Sequence, residues 1–343
     1  MKGADAIQEP SLLVVEGLNV DMSTPSGELH AVRSVDFSVK HRETFCLVGE
    51  SGCGKTMTSL ALMRLLPSNA RLTASRMQFG DRDLLTIGTR EMAALRGSRL
   101  GMIFQDPMTS LNPVYTIGDQ LEEIYLRHRS VTRQEARGRA EYLLQRVGIM
   151  SPALRLRQFP HQLSGGLRQR VMIAMALMCE PHLIIADEPT TALDVTVQVQ
   201  ILRILEDLQQ EFGMAIILIT HNLGIVARMA DRLAVMYAGE IIETGTPLEV
   251  FENPQHPYTQ GLLRCAPNFG LKDKRHRLGA IPGLVPSLIN EIQGCSFRNR
   301  CDFVTPECAN GHVPLRRLSP ERAYLCHREP DPVAHMVPER GAQ

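Results

Sequence analysis

With 343 residues and a formal net charge of zero from 37 acidic and 37 basic side chains, the chain is long enough for one large or two modest domains. Its charge balance offers no general attraction to nucleic acid or anionic lipid. The longest apolar run, 171–179, is nine residues, far short of the about 20 that cross a bilayer as a helix. Residues 1–10 carry no apolar export segment, so a cytosolic location is expected, and work at a membrane would pass through separate spanning subunits.

Residues 12–48 alternate short apolar stretches with turns such as Pro25-Ser26-Gly27, the pattern of a small antiparallel sheet. Phe45-Cys46-Leu47-Val48 reads as a buried strand and 57–66 as a helix. Between them Gly49-Glu50-Ser51-Gly52-Cys53-Gly54-Lys55-Thr56 fits the G-x-x-x-x-G-K-S/T pattern of a phosphate-binding loop. The glycines let the backbone turn its N–H groups toward a triphosphate. Lys55 adds positive charge near the β- and γ-phosphates, and Thr56 supplies a hydroxyl for Mg²⁺. The competing reading is an ordinary glycine turn beside a surface lysine.

Residues 118–180 have helical patterning, as in Leu121-Glu122-Glu123-Ile124 and again over 136–147. Leu183-Ile184-Ile185-Ala186 is a short apolar strand that ends in Asp187 and Glu188. Asp187 is suited to hold Mg²⁺, directly or through water, and Glu188 to polarise an attacking water. Alone, such a pair often only solvates a loop; after a phosphate loop it marks a nucleoside triphosphatase. Strands at 183–186, 215–219 and 233–237, with a helix near 197–212 between the first two, form an alternation that implies a parallel core sheet. Ala238-Gly239 reads as a hairpin turn. From about 252 the texture changes to Pro, His, Gly and Cys with little periodicity, an appended region. No internal repeat is present, so a second nucleotide-binding unit must come from another chain.

Leu163-Ser164-Gly165-Gly166-Leu167-Arg168-Gln169-Arg170 opens a helix with free N–H groups suited to a γ-phosphate. By itself it is an ordinary turn or cap. In order with the phosphate loop and the carboxylate pair, it resembles the signature of the ATP-binding cassette family. That resemblance implies an α/β P-loop NTPase cassette over 12–251, with a parallel core sheet, an N-terminal antiparallel β subdomain and a helical signature subdomain at about 106–180. It implies ATP and Mg²⁺ as ligands and Gln105 as the lid glutamine that senses the metal. Asp194, in Ala192-Leu193-Asp194, becomes the dimer-contact loop and His221 the switch histidine. Ser164, Gly165 and Gly166 would serve the ATP of a second cassette. The chain departs from the family at Leu167, where many members have Gln, and at Met22, where an aromatic residue usually stacks on adenine. Met22 and His30 are the alternatives left for that contact.

In the tail, Asn253-Pro254-Gln255-His256-Pro257-Tyr258-Thr259, Leu262-Leu263, Ile281-Pro282-Gly283-Leu284-Val285-Pro286-Ser287-Leu288, Gly294-Cys295-Ser296-Phe297 and Arg300-Cys301 resemble the ATPase subunits of bacterial oligopeptide and dipeptide importers. The resemblance covers about 12–328. It implies an ATPase that energises peptide import from the cytoplasmic side of the bacterial inner membrane. Its partners would be two transmembrane permease subunits, an extracytoplasmic substrate-binding protein and a second, related ATPase in a heterodimer, with no nucleic acid. Nickel, glutathione or opines remain open as substrates. A soluble cassette acting in DNA repair or translation would usually carry long coiled coils or paired cassettes. A regulatory binder without turnover would not need Glu188 and His221.

Of eight cysteines, Cys46, Cys53, Cys179 and Cys265 read as small apolar core or loop residues. Cys295, Cys301, Cys308 and Cys326 fall in the tail, 252–343. Their spacings of five, six and seventeen intervening residues do not match zinc knuckles. A cytosolic location favours metal over disulfides. The importer resemblance implies a 4Fe–4S cluster on these four, with zinc and free thiols as the alternatives.

Overall fold

The computed structural model describes residues 11–191, 193–266, 280–289 and 292–330. Its contacts divide the chain into two compact units. The first holds 11–16, 37–43 and 76–217, the second 17–36, 44–75 and the described residues from 218 onward.

In the first unit, the strand Leu183–Asp187 is buried along its whole length and runs parallel to Leu100–Ile103, with Leu100 opposite Leu183 and Ile103 opposite Ala186. A strand covered on both faces accepts an unbroken apolar run, which is why Leu-Ile-Ile-Ala leads without alternation into Asp187. The start of the strand Leu13–Thr24 pairs antiparallel with Arg76–Phe79. There Leu13, Val15, Met77 and Phe79 are buried, the every-second-residue pattern expected for this region.

The helical patterning of 118–180 resolves into Ile117–His128, Arg133–Arg146, Pro152–Arg155 and Gly165–Leu177. Each longer helix begins on a side-chain cap. Thr116 accepts from the Asp119 N–H, Thr132 and Glu135 form a reciprocal capping box, and Ser164 accepts from the Leu167 N–H. The helix expected at 197–212 spans Val195–Phe212, because the Asp194 carboxylate accepts from the Val197 N–H at 2.9 Å and starts it earlier.

The second unit is built on Thr44–Val48, wholly buried and parallel to Arg232–Tyr237. Arg232–Tyr237 turns through Ala238 and Gly239, both at positive φ (49° and 85°), into the antiparallel strand Glu240–Gly245. Two such residues give the tight hairpin read from the sequence. The helix after the phosphate loop is Lys55–Leu62, where 57–66 was expected. It begins directly on Gly54, and it ends early because Arg64 takes a left-handed φ of 49°.

The tail is more ordered than its composition suggests. Ala323–Leu325 pairs with Glu240–Gly245, and Leu315–Arg317 pairs with Ala323–Leu325, so the tail extends this unit's sheet. Three-residue strands are too short to show periodicity. Arg322 anchors them: its guanidinium meets the Glu243 carboxylate at 2.8 Å with both side chains almost fully buried.

Candidate functional site

The phosphate loop owes its shape to close packing of backbone on backbone. A Cβ added at Gly49 would lie 2.2 Å from the Met236 carbonyl oxygen, and one at Gly54 2.4 Å from that of Ala31. Gly54 also has a φ of 106°, a conformation that only glycine adopts readily. The Gly239 N–H donates to the Cys53 carbonyl at 3.0 Å, which ties the loop to the hairpin.

Lys55 is buried, and its ammonium donates to the carbonyls of Gly49 and Glu50, both at 2.9 Å. Thr56, in the helix's first turn, is exposed. Burial pushes the Cys53 thiol up against the opposing pull of Lys55, so this buried sulfur is held protonated. On the strand Leu13–Thr24, Met22 is half-buried, and His30 Nδ1 lies 2.6 Å from an Asp21 carboxylate oxygen. His221 is exposed and follows the strand Ala215–Thr220. Asn222, next to it, caps the helix Leu223–Met229.

The first unit holds the carboxylates. Asp187 is buried at the strand end, and Glu188 follows at a φ of 44°, a left-handed conformation that is strained for a residue with a side chain. The Gln105 amide donates to Glu188 Oε2 at 3.2 Å and the Thr191 hydroxyl to the same oxygen at 2.8 Å. Gln105 and Glu188, 83 residues apart, are thus brought together. Ser164 and Gly165 are exposed at the N-terminus of Gly165–Leu177. A Cβ on Gly166 would sit 3.1 Å from Val197 Cγ1. Gln198 ties the neighbouring loop down by donating to the carbonyls of Thr190 and Leu193. Asp194 therefore has a local role as a helix cap besides the one expected of it; Ala192 lies outside the described residues.

Cys295, Cys301, Cys308 and Cys326 line one cavity of about 80 Å³, together with His256, Phe297 and Arg328. All eight cysteines of the chain are free thiols. Burial, with the neighbouring thiols adding to it, pushes Cys295 up to about 11, and burial raises Cys301 and Cys326 as well. The Phe303 N–H donates to the Cys301 sulfur at 3.4 Å. Among the described residues, however, no group of three or more His, Cys, Asp or Glu side chains has the spacing to hold a metal ion. The four sulfurs share a cavity without forming such a group.

Sequence reasoning missed two groups that reach the phosphate loop from the tail. The Tyr258 hydroxyl accepts from the Glu50 N–H at 2.9 Å, and Arg300 forms a two-pronged ion pair with the Glu50 carboxylate at 2.8 and 3.1 Å. Nothing in spacing marks either, since the partners are 208 and 250 residues apart. An acidic residue within a loop meant for anions was the one available hint that a cation lay near.

A glycine-shaped loop opening a helix behind a buried strand, and a carboxylate pair ending a second buried strand, define a P-loop nucleoside triphosphatase. Residues 32–191 match the ABC transporter family, and 242–308 match the oligopeptide/dipeptide transporter C-terminal region. The dipeptide transport ATP-binding protein DppD of Bacillus subtilis is 50% identical over 291 residues, covering 84% of this chain and 86% of that protein. DppD of Escherichia coli is 47% identical over 317 residues, covering 92% and 96%. Among solved structures, the bacterial ABC transporter cassette MJ0796 matches with a TM-score of 0.62 at 25% identity, over 68% of this chain and 98% of that one. The cbiO1 subunit from Clostridium perfringens matches with a TM-score of 0.60 at 28% identity, over 71% and 91%. The chain belongs to the ABC transporter family as an ATP-hydrolysing cassette subunit, and its C-terminal region is of the oligopeptide/dipeptide type. No helix among the described residues is long and apolar enough to cross a membrane.

Proposed function

We propose that this subunit hydrolyses ATP to drive peptide uptake into a bacterial cell, in the manner that the names of its DppD relatives describe. The observation that carries the catalytic part is Glu188, in a strained conformation at the end of a buried strand and held at one oxygen by Gln105 and Thr191. The loop Gly49, Glu50, Ser51, Gly52, Cys53 and Gly54, with Lys55, receives the phosphates, while the Glu50 N–H itself is committed to the Tyr258 hydroxyl. Mg²⁺ bound with ATP neutralises charge on the phosphate oxygens. Thr56, Asp187 and Gln105 offer the oxygen donors this hard ion prefers. Glu188 takes the proton of the attacking water, and His221 contacts the γ-phosphate. Ser164, Gly165 and Gly166 serve the nucleotide of a second cassette, and Asp194 stands in the dimer-contact loop. Cassette 12–251 and tail 252–343 form the two functional parts.

The second cassette is a related ATPase chain, so the motor is a heterodimer. It sits on the cytoplasmic face of the inner membrane against two permease subunits fed by an extracytoplasmic binding protein. For the tail we propose a metal centre held by Cys295, Cys301, Cys308 and Cys326. A 4Fe–4S cluster is favoured by four soft thiolate donors around one cavity, and binding would have to rearrange them, since the described residues form no metal-holding group as they stand. Protein purified without oxygen should carry stoichiometric iron and sulfide; zinc without iron would replace the cluster by a zinc site, and neither metal would end the reading.

Glu188→Gln tests the motor. In the assembled transporter it should keep ATP binding and lose turnover by at least about a hundredfold. Near-normal hydrolysis would remove Glu188 from its role.

A further inference from the structure

Glu50 places a carboxylate inside a loop whose purpose is to hold an anion. Every polar group of this residue is engaged. Its N–H donates to the Tyr258 hydroxyl, its carbonyl accepts from Lys55 Nζ, and its carboxylate is gripped by Arg300. Arg300 is 5% exposed and uses its planar fork fully. Nη1 and Nη2 each take one Glu50 oxygen, Nε donates to the Pro282 carbonyl at 3.0 Å, and Nη2 also reaches the Ile281 carbonyl at 3.1 Å. The guanidinium lies 5.8 and 6.0 Å from the ring centres of Tyr237 and Phe297. Such a site suits arginine and cannot be reproduced by the single point charge of lysine.

We propose that Arg300 is a positioning residue for the nucleotide site: it fixes and neutralises Glu50, so that the phosphate loop keeps its shape and meets a triphosphate without an opposing charge. This rests on the reading of 49–56 as the ATP site. The ion pair spans the chain from the loop to the tail, so a segment outside the cassette motifs sets the charge of the loop. Arg300 is also followed directly by Cys301, which lines the four-cysteine cavity. The clamp and that cavity therefore share one stretch of backbone.

The test is titration of Mg-ATP on the full chain, comparing wild type with Arg300→Met, Arg300→Lys, the double variant Arg300→Met with Glu50→Gln, and Lys55→Ala. Arg300→Met should weaken affinity about tenfold, because it leaves a partly buried carboxylate unpaired beside the phosphates. Arg300→Lys, with charge but no fork, should lie between, about threefold weaker than wild type. Adding Glu50→Gln to Arg300→Met should restore affinity to within about threefold of wild type, since the charge that needed a partner is gone. If Arg300 merely folds the tail, the double variant stays as weak as Arg300→Met, and the proposal falls. It falls too if Arg300→Met binds like wild type while Lys55→Ala does not. Wild-type binding by Lys55→Ala would instead overturn the ATP-site reading on which the proposal rests.

Discussion

The phosphate loop and the four-cysteine tail belong to one compact unit, and both are largely irregular chain, yet different forces hold them. The loop is confined by its own backbone: Gly49 and Gly54 pack on carbonyl oxygens that leave no space for a side chain, and the buried strand Thr44–Val48 delivers it into place. The tail shows such packing at Gly294, where an added Cβ would lie 2.4 Å from the Cys308 carbonyl oxygen. The rest of its described path is tied by side chains that meet across long separations, Arg322 with Glu243, Arg300 with Glu50, and four thiols around one cavity. A loop set by backbone sterics tolerates almost no change at a few positions. A segment set by pairwise contacts loses stability contact by contact.

The largest effect that separates the two is expected at Gly54. Gly54→Ala brings a Cβ against the Ala31 carbonyl in a backbone conformation that alanine disfavours. ATP affinity should fall by at least about a hundredfold, while the unfolding of the tail, followed by proteolysis, is unchanged. Affinity near that of wild type would mean the loop is not held by backbone packing.

The matching break in the tail is Arg322→Met. It strands the buried Glu243 carboxylate, and removing one partner of a buried pair costs about 3–5 kcal/mol. Urea unfolding should show a loss of that order. A loss under about 1 kcal/mol would show that the Gln255 and His256 N–H groups, which also donate to Glu243, satisfy the carboxylate alone.

A pH dependence is expected from His256. Burial pushes it down to about 3, and its Nδ1 accepts from the Tyr258 N–H, so it is folded as the neutral ring. In the unfolded chain it titrates at its ordinary value of about 6.5. Between these values the unfolded state binds the extra proton, so stability is complete above pH about 6.5 and falls as pH drops, by about 1.4 kcal/mol per pH unit. His256→Asn keeps a side-chain acceptor for the helix cap and should flatten the difference between pH 7 and pH 5. Parallel curves for the two proteins would assign the acid sensitivity elsewhere.

The smallest effect joins the two regions. Tyr258→Phe removes the hydroxyl that accepts from the Glu50 N–H, and ATP affinity should fall about three- to fivefold. No change would mean that water replaces the hydroxyl without loss, and that the tail grips the loop through Arg300 alone.

The groups proposed for nucleotide binding and catalysis were legible because their chemistry is tied to short runs of chain. A phosphate loop, an apolar strand ending in two carboxylates, and Ser164-Gly165-Gly166 at a helix start each carry their geometry within a few residues. The element types around them followed from burial, and their ends shifted only where a single residue intervened: Asp194 capping its helix early, Arg64 ending another in a left-handed turn. Less of the tail was legible. The cysteines stood out by composition, but their shared cavity and the strands Leu315–Arg317 and Ala323–Leu325 did not.

Sequence by itself determined that this chain carries a P-loop, a carboxylate pair and a cassette signature, since each is a local pattern in which residue type and spacing dictate the backbone. Only the tertiary structure decided that Glu188 takes a left-handed conformation held by Gln105 and Thr191, and that Glu50 is paired with Arg300 and Tyr258. Those contacts join residues far apart along the chain. Which pairs form depends on the path of the whole fold, while the identity of either partner alone is compatible with an ordinary exposed side chain.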